Sequence, residues 1–249
     1  MAEHRYDLIG RSYTRTRRED PRIAAQIADA LGPARTIVNL GAGTGNYEPS
    51  DRTVTAVEPS PTMVDQRAAR SPRVVRAAGE HLPFRDRSFD AALAVLTIHH
   101  WTDVAAGLRE MRRVADRQVV MYFEPLHTHD FWALDYFPEA RDLPSERNPP
   151  GEQHLRETLD VRAIRTVLVP HDCTDGFGAA YWQRPEAYLD PTVQAGMSWL
   201  AMLTEDERKR GTNRLAADLD SGEWDRRFGH LRNLHTYDGG YRIAICSVD

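Results

Sequence analysis

Thr36-Ile-Val-Asn-Leu-Gly41-Ala-Gly43-Thr-Gly45 decides the reading of this chain, because a β-rich apolar run passes without a break into three glycines at alternate positions. Such a run reads as a buried strand, and the glycines let backbone approach a ligand closely. A dinucleotide loop would place its third glycine at position 46, where Asn46 stands, and a P-loop would end in Gly-Lys-Ser/Thr, which is absent. Both phosphate-cradle readings weaken. A tight strand-to-helix turn would use the same glycines, so the surrounding sequence has to decide.

The next β-rich run, Thr53 to Val57, ends on Glu58, 17 residues after Gly41. In parallel sheets ligands lie across the carboxyl ends of the strands, and a carboxylate at the end of the second strand accepts from both ribose hydroxyls. Further runs at Val74 to Arg76, Ala91 to Val95 and Val119 to Phe123 alternate with helical patterns. This is the rhythm of βαβ units and a parallel sheet. Asp20-Pro21 and Ser60-Pro61 read as helix starts, Gly32 as a stop, and Asp103 to Val114 as a helix with Val104, Leu108 and Met111 on one face. After Glu124 the composition turns aromatic and histidine-rich. A strand is expected at Ile164 to Pro170, a mostly helical block at Pro185 to Leu234 and a closing strand at Tyr241 to Cys246.

The five ordered motifs Val38-Asn-Leu-Gly-Ala-Gly-Thr-Gly45, Ala56-Val-Glu-Pro-Ser60, Glu80-His-Leu-Pro-Phe84, Ser88-Phe-Asp90 and Leu96-Thr-Ile-His-His-Trp101 together resemble a class I methyltransferase. More narrowly they resemble the ubiquinone/menaquinone-biosynthesis-like small-molecule group, over approximately residues 6 to 125. The resemblance implies S-adenosylmethionine as cofactor. It also implies an α/β fold: a Rossmann-like, seven-stranded, mostly parallel sheet with helices on both faces and a helical insertion before the last strand. By the same resemblance Gly41, Gly43 and Gly45 approach the methionine part, Glu58 holds the ribose, and Pro59 and Met63 flank the adenine. Gly79 and Glu80 would read the adenine edge, and Val95 and Leu96 would line the sulfonium side. Two departures stand out. The family usually has an acidic residue where Asn39 stands, and the segment from Gly45 to Thr53 is too short for its usual first helix.

One domain over residues 1–249 is expected: an N-terminal helical lid (1–34), a cofactor-binding core (35–124), an acceptor-binding elaboration (125–240) and a closing strand (241–249). In the lid, Tyr13 is a candidate to face the sulfonium and Arg17 to pair with the methionine carboxylate. Histidines follow predicted strands at His99 and His100, at His127 and His129, and at His171. His100 and His171 are the candidate general bases, since imidazole takes a proton near neutrality. No metal is expected, because neither Cys/His zinc spacing nor a helical His-Glu-x-x-His occurs. Phe131, Trp132, Tyr136, Phe137, Phe177, Tyr181 and Trp182 either wall an apolar acceptor site or form ordinary core.

A formal charge of -5, with Lys209 the one lysine, supplies no basic field for nucleic acid. Asn148-Pro149-Pro150 lies after the fifth strand and ends in Gly151, so it reads as a turn and not as a base-holding motif. Cys173 and Cys246 are expected to be reduced thiols, and no run reaches the roughly 18 apolar residues of a membrane span. A cytoplasmic protein with no nucleic-acid or membrane partner is expected, transferring a methyl group to a small-molecule acceptor. The rival readings are a nucleic-acid methyltransferase and a non-catalytic cofactor-binding module.

Overall fold

The computed structural model describes residues 16–67, 72–124 and 130–247. Helix α1 (Pro21–Leu31) starts where Asp20 accepts from the Arg22 backbone N–H, with Pro21 in the first turn, and stops at Gly32. Strands β1 (Thr36–Leu40) and β2 (Thr53–Val57) follow, then the short α2 (Pro61–Asp65), capped by Ser60. After β3 (Arg73–Val75) and β4 (Phe89–Val95), Asp103 caps α3 (Val104–Val114), which runs straight into β5 (Ala115–Phe123).

The elaboration begins with α4 (Ala133–Tyr136), α5 (Pro144–Arg147) and α6 (Glu152–Thr158) before β6 (Val161–Thr166) and β7 (Val169–Pro170). Helices α7 (Pro191–Gly196), α8 (Ser198–Ala201), α9 (Glu205–Asp220) and α10 (Glu223–Phe228) then precede β8 (Thr236–Tyr237) and β9 (Tyr241–Ser247). Thr204 and Glu207 form a reciprocal capping box at the start of α9.

Seven strands form one sheet in the order β3-β2-β1-β4-β5-β9-β6. The β1 pairings with β2 and β4 are parallel, as are β2 with β3 and β4 with β5, while β9 runs antiparallel to both β5 and β6. Period-two alternation sorts the core strands onto two faces. Ile37, Leu93, Val119 and Met121 pack against α1 and the aromatic elaboration. Val38, Ala92, Ala94 and Val120 pack against Leu108, Met111 and Val114 of α3. The strand order reverses between β1 and β4, and that switch point opens the crevice that receives a ligand.

The expected sixth strand, Ile164 to Pro170, divides. β6 stays in the main sheet, while β7 pairs with β8 in a separate two-stranded ribbon. Val167 makes the last main-sheet bond, donating to the Tyr241 carbonyl at 2.9 Å. Pro170 has no N–H with which to extend a ladder. Among the described residues no helix is long and apolar enough to cross a membrane.

Candidate active site

The glycine loop is shaped by three different neighbours. Gly41 has φ +60° and lies against the Thr97 side chain, leaving no room for a Cβ. Gly43 has φ +53°, and a Cβ there would stand 3.3 Å from the Met63 methyl group. Gly45 has φ +97° and packs on Glu48 and Arg67. Positive φ and close packing together demand glycine at each position. Gly41 and Gly43 line a groove across the ends of β1, β2 and β4, whereas Gly45 does not. Of the three glycines expected at the methionine part, Gly41 and Gly43 line the groove, while Gly45 packs against the buried ion pair behind the loop.

Glu58 is buried, and its carboxylate accepts from the Gly43 N–H at 2.8 Å and the Ser60 N–H at 2.9 Å. Two backbone donors thus fix the carboxylate at the end of β2, where it lines the groove with Pro59 and Met63. An ionised carboxylate only accepts, through about four lone-pair sites, which is the chemistry that ribose hydroxyls call for. These residues fit the expected cofactor.

Across the groove stand Gly79, Glu80, Trp101 and Thr102. Glu80 lines the wall, but one of its oxygens accepts from the Thr102 N–H at 2.8 Å and the Thr102 hydroxyl at 3.0 Å. That oxygen anchors the loop before α3 and is not left for an adenine edge. Val95 and Leu96 close the end of β4. Leu96 has φ +49°, a conformation that costs a non-glycine residue roughly 1 to 3 kcal/mol, and its N–H still donates to the Met121 carbonyl at 2.8 Å. Here the chain leaves the sheet abruptly and presents Leu96 to two cavities at once.

The second cavity lies beyond Leu96 under the elaboration. Its apolar walls include Phe123, Phe131, Phe177, Trp199 and Tyr241, with Met197 and Leu134; its polar groups include His99, Arg17, Arg141 and Glu146. Met197, Ser198 and Trp199 come from the helical block before the last strand. Of the other aromatics named from sequence, Trp132, Tyr136, Phe137 and Trp182 are buried core. His100 lines the groove and His99 the aromatic cavity, their ring centroids 3.8 Å apart.

His171 joins neither cavity. It follows the small ribbon, is about half exposed, and its Nδ1 lies 3.9 Å from an Asp172 oxygen, with Asp172 itself paired to Arg22. The split of the predicted sixth strand carries it away from the sheet edge. Tyr13, His127 and His129 lie outside the described residues. Among the described residues no group of three or more His, Cys, Asp or Glu side chains is arranged to hold a metal ion.

Arg17 lines both cavities and is held by Asp175, to which its Nε donates at 2.7 Å. Fully buried Asp175 also accepts from the Tyr47 hydroxyl at 2.9 Å and the Gly176 N–H at 2.7 Å. Burial, then the neighbouring Asp175 charge, raises the Tyr47 hydroxyl far above the ordinary tyrosine range, so it stays a donor. Sequence reading missed this cluster because it joins positions 128 to 158 residues apart.

A family profile described as a methyltransferase domain matches residues 38–123. A demethylmenaquinone methyltransferase of Mycolicibacterium paratuberculosis is 34% identical over 193 residues, covering 72% of this chain and 83% of that protein. A solved structure from Anabaena variabilis, described as a methyltransferase from an antibiotic biosynthesis pathway, superposes with a TM-score of 0.86 at 33% identity. It covers 94% of this chain and 99% of that one. Other curated relatives are matched over about half their length; the uncharacterized protein YafE of Escherichia coli is 32% identical over 118 residues, 45% of this chain and 56% of its own.

Proposed function

This chain belongs to the class I S-adenosylmethionine-dependent methyltransferases of the ubiquinone/menaquinone type, and on that premise we propose that it methylates a small molecule held in the aromatic cavity beneath the elaboration. The observation that carries the reading is that the groove and the cavity meet at Leu96 and Arg17, the two residues that line both. When bound, the cofactor supplies an electrophilic methyl group on a sulfonium.

The chain's own residues bind, orient and exclude water. Glu58, fixed by Gly43 and Ser60, accepts the ribose hydroxyls. Gly41 and Gly43 let the backbone approach, and Arg17 offers a guanidinium at the junction. The apolar walls bury a compact acceptor and keep water from the reacting atoms. Where the acceptor carries an ionisable hydrogen, His99 is the imidazole on its side of the junction and receives that proton.

Incubation with methyl-labelled cofactor and a panel of small apolar hydroxy, amino and acidic C–H compounds should move label into one chemical class. Transfer to none of them, with cofactor still bound, would favour a non-catalytic module; transfer to RNA or DNA would favour the nucleic-acid reading. Replacing Glu58 by Ala should weaken cofactor binding by about 10- to 100-fold, since hydrogen bonds to a charged acceptor contribute roughly 1.5 to 3 kcal/mol.

A further inference from the structure

Gly178 opens a polar patch in the aromatic wall of the second cavity. A Cβ there would stand 2.9 Å from the Trp199 Nε1 and 3.3 Å from the Tyr241 hydroxyl oxygen. The bare Gly178 backbone thus leaves the pyrrole edge of Trp199 and the Tyr241 hydroxyl uncovered beside one stretch of wall, and all three residues line the cavity. Trp199 belongs to α8 and Tyr241 begins β9, so the helical block and the closing strand each supply one donor.

Neither donor is spent inside the protein. The Trp199 N–H has no acceptor among the described residues, and it is not sealed in the core as the Trp224 Nε1 is. The Tyr241 oxygen accepts from the Ala179 N–H at 3.2 Å, which leaves the hydroxyl hydrogen to give, again with no acceptor among the described residues. Burial pushes that hydroxyl far above the ordinary tyrosine range, so it stays a donor at neutral pH. Indole N–H and phenol O–H groups on side chains as buried as these ordinarily find a partner. Both rings are held in place. Trp199 meets Phe137 edge to face with centroids 5.8 Å apart, and Tyr241 meets Phe177 in the same way at 4.7 Å. The Tyr188 hydroxyl donates to the Gly178 carbonyl at 2.8 Å and pins the patch between them.

We infer that Trp199 and Tyr241 together receive a carbonyl-type oxygen of the acceptor, so that the substrate class of the cavity is an apolar body carrying a ketone, ester or amide oxygen. The inference rests on the cavity being the acceptor site. A carbonyl oxygen has two lone pairs and takes two donors at once. A hydroxyl or amine would bring hydrogens to a patch that presents two of its own, and the Gly178 carbonyl already accepts from Tyr188. In a wall otherwise built of Phe123, Phe131 and Phe177, the pair selects and orients. An oxygen that meets it is satisfied, whereas a hydrocarbon in the same place strands two donors.

The test titrates 2-acetylnaphthalene and 2-ethylnaphthalene, alike in shape and different in the carbonyl oxygen, into the full chain saturated with S-adenosylhomocysteine. Calorimetry should show the ketone binding about 10-fold tighter. In proton–nitrogen NMR spectra the indole signal that Trp199→Phe removes should lie further downfield with the ketone than with the hydrocarbon, as a new hydrogen bond requires. Trp199→Phe and Tyr241→Phe should each cut the preference to about 3-fold or less, while affinity for the hydrocarbon changes less than about 2-fold. Should Trp199→Phe not fold, Tyr241→Phe, which removes one oxygen atom, still decides.

Equal affinity for the two probes in the unaltered protein, or variants that weaken both alike, would overturn the inference and leave the cavity an apolar acceptor site. A preference for 2-naphthoate over the ketone that Arg141→Met removes and Trp199→Phe leaves intact would overturn it in favour of recognition by charge. Binding of none of the probes would refute the cavity as the acceptor site, and the inference with it.

Discussion

The rings of His99 and His100 stand 3.8 Å apart, yet His99 lines the aromatic cavity and His100 the cofactor groove. They end a three-residue 3-10 turn, Ile98–His100, in which successive side chains point about a third of a turn apart. Adjacent histidines therefore face different cavities. His99→Ala should lower turnover by about 10²- to 10⁴-fold with cofactor affinity unchanged if the acceptor must lose a proton. His100→Ala should instead move the cofactor dissociation constant. Steady-state kinetics beside calorimetry separate the two, and full turnover in the His99 variant would leave alignment alone as the means of catalysis.

Gly41 meets Thr97 across the gap between β1 and the end of β4. Gly41→Ala adds both a positive-φ strain and a collision with the Thr97 side chain, so stability should fall by about 2 kcal/mol or more. Adding Thr97→Gly should recover the collision part and leave the strain, about 1 kcal/mol. Urea titrations of the single and double variants measure both terms. Equal stability of the two would mean that Thr97 moves aside without cost.

Asp20 shows how the N-terminal segment is tied down. Burial raises its carboxyl pKa, but hydrogen bonds from the Arg22 side chain and from the backbone of Thr174 and Arg22 outweigh this and bring it to about 2 from an ordinary 3.8. A depressed folded-state pKa gives stability that is present above the unfolded value and is lost as pH falls through the folded one. The difference corresponds to about 2 kcal/mol, lost between roughly pH 4 and 2. Asp20→Asn should flatten that acid limb in pH-dependent unfolding. A limb of unchanged steepness would assign it to other carboxylates.

How much of this was legible in the sequence varies with the range of the interaction. Gly41, Gly43 and Glu58 were readable because a backbone conformation and a strand end fix them locally. Gly45 was readable as a glycine, but the pair it packs on was not, since that pair joins Glu48 to a residue 19 positions away. His99 could not be told from His100, because the parity of a 3-10 turn after a strand is not written in two identical neighbours. His171 was misplaced because a strand read as continuous breaks after Thr166 and resumes in another sheet. The departure at Asn39 was visible. Its hydrogen bond to Glu48 was not, because only the turns between Gly45 and Thr53 bring that carboxylate back.

Arg17 and Asp175 make the last prediction, because one ion pair touches both cavities. Arg17 is 10% exposed and Asp175 not at all, in contrast to surface pairs such as Arg226 with Glu223. Breaking a buried pair from one side typically costs 3 to 5 kcal/mol, whereas replacing both partners by apolar residues is often far milder. Asp175→Asn should therefore destabilise strongly. The double variant Arg17→Met with Asp175→Leu should lose less than the sum of the single changes, by about 1 to 3 kcal/mol in denaturant titrations. Tyr47→Phe removes one donor to the same carboxylate and should cost about 1 kcal/mol. Glu223→Ala, at the exposed pair, should cost at most about 1 kcal/mol. The functional arm follows from position. Arg17→Met should raise the apparent KM for cofactor and acceptor together, since the guanidinium lines the wall of each site, while Glu223→Ala should move neither. A rise confined to the cofactor would show that Arg17 serves the groove alone and that the acceptor meets the methyl group past Leu96 only.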